Sequence, residues 1–429
     1  MSTQLDRIAI KARFDAKARF TSLAYIITPE FLMETWRMMN RKGASGVDGE
    51  TTKQFESHLE ERTLGIWARM KANRYKAQPV RRVEIPKGNG KTRPLGIPTV
   101  EDRLVQRAVA RILEAIYEQD FLNISYGFRP GRNPHHALQR LRSTIVTKKV
   151  RHIFEADIRG YFNHINHEWL MKMLKQRIAD SVILRLVGKW LKAGVMENGV
   201  VTRNEEGSPQ GGPISPILAN IYLHYVLDLW FEKRCKKWFQ GEAYLVRFAD
   251  DYVVCFQYKR DAENFQSYIT DRMKKFNLEL AEEKTRLILF GRFARERKSL
   301  YEEKPETFDF LGFKHVCGVG RKGEFVLIRI PTVKSCRKFL DRVHKWLKTH
   351  THWKRRDQQK QLTSMLQGFY QYFSLYHCQS KLEYIRNEVI QQWIRTLRRR
   401  SQRHQLYWCY LKNREWFKLP YPKLIHPNI

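Results

Sequence analysis

The segment AYLVRFADDYVVCF, residues 243 to 256, decides the fold of this chain. Two apolar runs rich in β-branched and aromatic residues flank the Ala-Asp-Asp of positions 249 to 251, which predicts a β-hairpin with adjacent acids at its tip. A second segment, HIFEADIRGYF at 152 to 162, is typical of an apolar strand and delivers Asp157 at its end. If these strands lie side by side, three carboxylates share one edge of a sheet.

The acids at these strand ends indicate a metal site. An Asp-Asp pair at a turn usually only solvates a loop, but acids that end apolar strands in a basic chain repel one another and need a cation. Magnesium prefers carboxylate and phosphate oxygens. Asp157 and Asp250 would hold two Mg²⁺ ions about 4 Å apart, with Asp251 supporting one of them. Such a pair would activate a hydroxyl and neutralise a triphosphate, without a covalent intermediate.

The charge balance indicates a polyanionic partner. The chain has 429 residues, enough for two or three domains, with 79 Lys and Arg against 44 Asp and Glu, a formal net charge of +35. A basic surface often only keeps a protein soluble, but an excess of this size costs self-repulsion unless a polyanion offsets it. Nucleic acid is the partner that this charge favours.

The sequence supports neither a membrane protein nor a disulfide-bonded one. No apolar run approaches the length of a spanning helix, and the start, MSTQLDRIAI, lacks a signal-peptide core. Asp6 and Asp15 argue against an organellar transit peptide, since such peptides are poor in acids. The six cysteines are scattered without a CxxC pair, which indicates neither a zinc site nor a disulfide framework. We therefore expect a cytoplasmic protein with no membrane partner.

The last hundred residues change character. The spacing of apolar residues predicts amphipathic helices over 333–347, 362–373 and 382–397, and therefore a small helical bundle. Its polar face carries arginines that either only solubilise the bundle or bind nucleic acid beside Tyr407, Trp408 and Tyr410. The second interpretation is the one we favour, and the arginines concerned are Arg395, Arg398, Arg399, Arg400 and Arg403.

Together these segments resemble the reverse transcriptases, and specifically the maturase–reverse transcriptases encoded within bacterial group II introns. The resemblance runs from about residue 31 to about residue 400 and rests on the order of its motifs. These are ASGVDG at 44–49, RRVEIPKGNGKTRPLGIPTVEDRLVQRAV at 81–109, YGFRPGR at 126–132, EADIRGYFNHINHEWL at 155–170, GSPQGGPISPILANIYLHYVLD at 207–228, RFADDYVV at 247–254 and FDFLGF at 308–313.

The resemblance implies an α/β (α+β) right-hand polymerase with fingers, a palm built on an antiparallel sheet, and an all-helical thumb. The corresponding divisions are an N-terminal extension and fingers at 1–80, a fingers and palm domain at 81–330, and a thumb, or maturase X domain, at 331–429. About thirty residues follow the thumb helices, with neither a paired-cysteine zinc motif nor an HNH-like cluster. We therefore expect the endonuclease-less class.

The same resemblance assigns roles to individual residues. Asp157, Asp250 and Asp251 are the catalytic metal-binding acids, and the backbone of Ile158 is a further ligand. Positions that match nucleotide-binding residues are Lys87, Arg93, Phe162 and Gln210. Phe162 matches the ring that excludes a 2′-hydroxyl, although an aromatic there could equally belong to the palm core. A Gly-rich turn between cations, KGNGKTR, suits phosphate binding on physical grounds as well. Lys284 matches a lysine that protonates pyrophosphate, although an ordinary surface lysine explains it equally well.

Two positions depart from the family pattern. Phe248 replaces the usual tyrosine before Ala-Asp-Asp, which keeps the ring and loses one hydroxyl, so catalysis should survive. His135 and His136 stand where relatives carry small residues and a single histidine. Adjacent histidines on a helix point in different directions, so we interpret them as structural or RNA-facing and not as metal ligands.

The resemblance therefore predicts an RNA-directed DNA polymerase that also assists splicing and retrohoming of its host intron. Its partners would be group II intron RNA, an RNA template with a DNA or RNA primer, deoxynucleotides and target DNA. One alternative is a reverse transcriptase of another retroelement or a defence system. Another is an RNA-binding splicing factor whose polymerase has decayed, but decay should erode the three acids first.

Overall fold

The computed structural model describes residues 3–88, 91–197, 200–202, 211–294, 305–400, 406–407, 411, 413–427 and 429. Its helices, in chain order, are α1 Thr3–Phe14, α2 Pro29–Arg37, α3 Thr52–Ser57, α4 Leu59–Lys71, α5 Val100–Tyr117, α6 Pro134–Thr147, α7 His167–Leu174, α8 Ser181–Lys192, α9 Ser215–Leu223, α10 Lys236–Trp238, α11 Lys259–Lys275, α12 Val333–Thr349, α13 Arg355–Phe373 and α14 Gln379–Arg398. Its strands are β1 Val80–Gly88, β2 Lys91–Ile97, β3 His152–Asp157, β4 Val195–Glu197, β5 Val200–Thr202, β6 Ala243–Phe248, β7 Asp251–Phe256, β8 Arg286–Leu289, β9 Phe308–Phe310, β10 Phe313–Val319 and β11 Phe325–Pro331.

The strands form three sheets. The first has the order β2-β1-β4-β5, with β1 and β2 antiparallel and β1 and β4 parallel. The second, which we call the palm sheet, has the order β6-β7-β3-β8 and is antiparallel throughout. The third has the order β11-β10-β9 and is also antiparallel. The hairpin predicted at residues 243 to 256 is therefore confirmed as β6 and β7.

The palm sheet is buried on both faces, which explains why its strands are almost continuously apolar. In β7, Tyr252, Val254 and Phe256 enter one core, while Val253 and Cys255 enter another. Helix α11 packs against β3 and β7 on the first face. The second core continues from the other face of the sheet into β9 to β11 and the helices α12 to α14. The palm sheet is therefore the partition between two hydrophobic cores.

The C-terminal helices follow the predicted pattern, with one difference in extent. Helix α12 begins at Val333, capped by Thr332, whose hydroxyl accepts from the Ser335 backbone nitrogen at 3.1 Å. Helix α13 begins at Arg355, seven residues before the predicted apolar repeat. The apolar spacing did not indicate these first two turns, because they carry mostly polar residues. One of these, Gln358, is fully buried and accepts from Trp393 Nε1 at 2.9 Å, which joins α13 to α14.

A buried ion pair supports the β6–β7 hairpin from behind. Arg247, in β6, is fully buried, and its Nε and Nη2 donate to the two carboxylate oxygens of Asp228 at 2.7 and 2.5 Å. Its Nη1 donates to Ala249 O at 2.9 Å and to Asn220 Oδ1 at 3.1 Å. Asn220 Nδ2 in turn donates to Gly127 O at 2.7 Å. The guanidinium therefore ties the turn to α9 and, through Asn220, to the loop after α5.

The turn itself needs this support. Ala249 adopts a left-handed backbone conformation, with φ of 57°, which costs a non-glycine residue about 1–2 kcal/mol. The segment before α6 runs against the hairpin, with Tyr126 N donating to Arg247 O at 2.9 Å. A Cβ on Gly127 would lie 2.4 Å from Ala249 N, closer than atoms can pack, so only glycine fits there. The first two residues of the YGFRPGR motif, Tyr126 and Gly127, therefore pack their backbone against the hairpin.

Replacing Arg247 with Met should lower the free energy of unfolding by about 3–5 kcal/mol, because Asp228 would remain buried without its partner. Urea unfolding followed by circular dichroism measures this. The matched control is Arg41→Met, which removes the exposed Arg41–Glu56 pair and should cost less than about 1 kcal/mol. Equal losses in the two variants would contradict the supporting role of Arg247.

Candidate active site

The structure brings the three predicted acids to one end of the palm sheet. Asp157 ends β3 and lies directly opposite Asp251, the first residue of β7, in the antiparallel register. Asp250 occupies the two-residue turn with Ala249, closed by the pair Phe248 and Asp251. Side chains that face each other across antiparallel strands have Cβ atoms about 4.5–5.5 Å apart. Two chain segments distant in sequence therefore place their carboxylates side by side.

The grouping is electrostatically unfavourable without a cation. Burial, and then the like charges of Asp157 and Asp250, raise the pKa of Asp251 from its ordinary value to about 7. A backbone hydrogen bond at Leu311 opposes the rise only in part. A carboxyl group that resists ionisation beside two others is typical of a site designed for a positively charged ligand.

Lys284 supplies one positive charge from within the chain. Its ammonium forms an ion pair and hydrogen bond with Asp157 Oδ2, and this hydrogen bond raises the pKa of Lys284. The lysine ends a 3₁₀ turn, Glu282–Lys284, which is fixed to the strand end because Ala281 N donates to Asp157 O at 2.8 Å. The lysine is therefore held at the carboxylates by the backbone beside them.

The donor set fits a hard divalent cation. Within the part of the chain that the structure describes, no three His, Cys, Asp or Glu side chains converge as a ready-made metal cage. Magnesium does not require one, because it commonly binds through one or two carboxylates and completes its shell with water and substrate phosphates. Binding would require Lys284 to release Asp157, so the two cations compete for the same carboxylate.

The structure describes only some of the remaining predicted positions. Ile158 is buried directly after Asp157, and Phe162 is half-buried against the core with its ring 5.4 Å from that of Tyr161. Gly211 has φ of 123°, and a Cβ there would lie 2.5 Å from Gly96 O, so backbone packs on backbone at this point. The side chains of Lys87 and Arg93, and all of Gln210, lie outside the described residues.

The predicted basic face at the end of α14 is only partly available to a ligand. Arg395 and Arg399 are exposed, but Arg398 donates to Leu406 O and Arg400 donates to Trp353 O at 2.8 Å. Tyr407 is exposed beside them, whereas Arg403, Trp408 and Tyr410 lie outside the described residues. Some of these arginines therefore also fix the local fold.

The adjacent histidines have different surroundings, as their neighbouring helical positions predict. The Nε2 of His135 lies 2.8 Å from Tyr372 O, and its ring packs on His426 with centroids 4.1 Å apart. His136 instead lines an open cleft that includes Arg132 and Arg140. His135 is structural.

Sequence reasoning missed Arg247, Asp228 and Asn220. The sequence does contain one indication of them, because Arg247 lies within an apolar strand and a buried arginine needs an acidic partner. It does not indicate which acid that partner is.

Replacing Asp251 with Asn should stabilise the metal-free protein at neutral and alkaline pH. Because the folded-state pKa is raised, between about pH 4 and pH 7 the folded chain binds more protons at this group than the unfolded chain, so its stability falls as pH rises. Asparagine cannot ionise and so avoids this loss of stability. We expect the gain in the free energy of unfolding to be about 1–3 kcal/mol, because solvent partly screens this half-buried group.

Thermal unfolding with a chelator, at about pH 5 and about pH 8, measures the difference across the raised pKa. Asp341→Asn, at an exposed position of α12, is the control and should leave the pH dependence unchanged. A parent and an Asp251→Asn variant with parallel pH profiles would exclude the repulsion described here.

Comparison with known proteins agrees with this geometry. A family model described as reverse transcriptase (RNA-dependent DNA polymerase) matches residues 85–315, more than half of the chain. The chain is 33% identical over 352 residues to Protein YkfC of Escherichia coli (strain K12), a match that covers 77% of this chain and 92% of that protein.

Two further relatives match over shorter shares of their length. Group II intron-encoded protein LtrA of Lactococcus lactis subsp. cremoris is 37% identical over 298 residues, which is 68% of this chain and 47% of LtrA. An uncharacterized 91 kDa protein in a cob intron of Schizosaccharomyces pombe is 40% identical over 163 residues, 38% of this chain and 20% of that protein. The chain therefore spans less than half the length of LtrA. With the family match and the carboxylates at the end of the palm sheet, these relatives show that the chain belongs to the reverse transcriptase family and is an RNA-directed DNA polymerase.

Proposed function

We propose that the chain extends a primer on an RNA template by two-metal nucleotidyl transfer, and that it serves a host group II intron. The observation that supports the chemistry is the register pair of Asp157 and Asp251 with Asp250 on the adjoining turn. When bound, two Mg²⁺ ions would lower the pKa of the primer 3′-hydroxyl and neutralise the triphosphate. The acids would hold these ions, and Ile158 would offer its backbone oxygen.

Lys284 has two successive tasks in this proposal. In the free protein its ammonium neutralises Asp157, which reduces the repulsion among the three acids. With the nucleotide in place, the released ammonium of Lys284 would lie within the same site and donate a proton to the oxygen of the departing pyrophosphate, becoming a neutral amine. A lysine side chain is protonated at neutral pH, so the released ammonium still carries the proton for that role.

The nucleotide would be gripped from the first sheet. In the antiparallel register of β1 and β2, Ile85 lies opposite Arg93 and Gly88 opposite Lys91, so the strands carry Lys87 and Arg93 close to one turn. Their two cations suit triphosphate oxygens. Gln210 and the close-packed Gly211 and Gly212 would border the base, and Phe162 would exclude a ribose 2′-hydroxyl.

The chain would be organised as fingers at 1–80, fingers and palm at 81–330, and a thumb or maturase X domain at 331–429. The continuous core from the palm sheet to α12, α13 and α14 supports this, because it sets the helices against the face of the palm that α11 leaves free. The hydroxyl of Tyr372, on α13, donates to Leu311 O at 2.9 Å, which links the helices to the FDFLGF motif.

The partners would be intron RNA, the template and its primer, deoxynucleotides and target DNA, with assistance to splicing and retrohoming as the biological outcome. A net charge of +35 supports a large polyanionic ligand. The exposed Arg395 and Arg399 are our candidates for phosphate contacts on the thumb, together with the remaining arginines of that face, Arg398, Arg400 and Arg403.

Asp250→Asn should reduce Mg²⁺-dependent primer extension on an RNA template about a thousandfold, because one preorganised charge at the reacting phosphate is lost. Binding of the intron RNA transcribed from the sequence that flanks the gene should remain within about twofold, since that affinity comes from Lys and Arg. Asp341→Asn is the matched control for both assays. Undiminished extension by Asp250→Asn would remove Asp250 from the mechanism, and equal affinity for an unrelated RNA would remove the intron partnership.

Phe162→Ala should raise the incorporation of ribonucleotides relative to deoxynucleotides by about tenfold or more, because the ring no longer occupies the space of a 2′-hydroxyl. Competitive primer extension with both nucleotide types measures the ratio. Phe162→Tyr keeps the ring and should keep the parental ratio. An unchanged ratio in Phe162→Ala would assign the ring to the palm core alone.

A further inference from the structure

We propose that an aromatic and basic cleft on the α11 face of the palm sheet binds an unpaired base of structured RNA, outside the catalytic channel. The inference rests on the RNA partnership proposed above and adds a site to it. The cleft has a volume of about 510 Å³ and lies between α10 and α11. It is lined by Trp230, Trp238, Tyr268, Asp271, Arg272 and Lys275.

The backbone that carries the two tryptophans is unusual. Trp230 lies between two π-helical segments, His224–Asp228 and Phe231–Cys235. A π-turn holds an extra residue and changes the direction in which the following side chains point, and such turns occur often at functional sites. Here Phe231 and Cys235 are buried, while Trp238 remains 53% exposed. Tyr268, whose ring contacts Trp238, is 46% exposed, and a contiguous exposed aromatic patch marks an interaction site.

The rings form a fixed platform. Trp238 makes edge contacts with Trp230 and Tyr268, at centroid distances of 6.4 and 5.5 Å. The guanidinium of Arg272 lies over Trp230 at 5.4 Å and is anchored by donating to Val226 O at 3.0 Å and to Tyr225 O at 3.2 Å. A platform held in place before binding loses little conformational entropy when a ligand stacks on it.

The surrounding charge selects the ligand. Arg272, Lys275 and Asp271 line the cleft itself. The segments 230–239 and 268–276, which carry its lining residues, contain seven Lys and Arg and two Asp and Glu. The core of a protein-binding patch is depleted of charge, whereas proteins that bind single-stranded nucleic acid combine stacking rings with a cationic border. An unpaired RNA nucleotide would satisfy both features of the cleft, because its base can stack on the rings and its phosphate can contact the surrounding lysines.

The position of the cleft separates this site from catalysis. Helix α11 covers one face of the palm sheet, and the helices α12 to α14 share their core with the opposite face. An RNA base held beside Tyr268 would therefore belong to a different part of the RNA than the template beneath the thumb. Extension of a short primer on a short template should not depend on the cleft.

The test uses the full-length protein with the substitutions Trp238→Ala and Tyr268→Ala combined. Two RNA ligands are compared, a hairpin with an unpaired loop and a blunt duplex of the same length. We expect the affinity for the hairpin to fall about tenfold, as loss of one stacked base predicts, while the affinity for the duplex and short-template extension stay at the parental level. The variant Trp238→Phe with Tyr268→Phe keeps both rings and should bind like the parent.

An unchanged hairpin affinity in the alanine variant would overturn the proposal and leave an acidic protein segment as the occupant of the cleft. An equal loss for hairpin and duplex would also overturn it, since a blunt duplex offers no unpaired base. Failure of primer extension in the parent itself would instead contradict the proposed polymerase function, so the two ideas fail separately.

Discussion

The pairing of Arg247 with Asp228 is the interaction on which the rest of the site depends. Burying a charged arginine in an apolar strand without partners would be strongly destabilising. Hydrogen bonds to Asp228, Asn220 and the carbonyl of Ala249 offset that cost and fix these groups relative to one another. Because one guanidinium binds Asp228, Asn220 and the carbonyl of Ala249, the turn between β6 and β7 is fixed to α9. The left-handed Ala249 and the close contact with Gly127 are tolerated for the same reason.

On this rigid support the chain places three acids that repel one another. Their repulsion is visible in the raised pKa of Asp251 and in the capture of Asp157 by Lys284. Grouping like charges in this way lowers the stability of the free protein, a common compromise in active sites. The ion pair between Lys284 and Asp157 offsets part of this repulsion in the free protein.

Much of this arrangement could be predicted from the sequence, because it follows from local pattern. The apolar runs around Asp250 predicted the hairpin, and helical spacing predicted α12 and α14 closely. Long-range partners could not be predicted: nothing local pairs Arg247 with Asp228, and the polar first turns of α13 concealed its start at Arg355. The π-helical segments around Trp230 were equally hidden, since their apolar spacing is ambiguous with that of an α-helix.

The most direct test of the account is anomalous diffraction from crystals of the protein with Mn²⁺, a primer on an RNA template, and an incoming deoxynucleotide. The account predicts two manganese peaks about 4 Å apart, bridged by the carboxylates of Asp157 and Asp250, with the amine of Lys284 released from Asp157. Peaks that lie away from these carboxylates, or an Asp157 still bound to Lys284 in the complete complex, would contradict it.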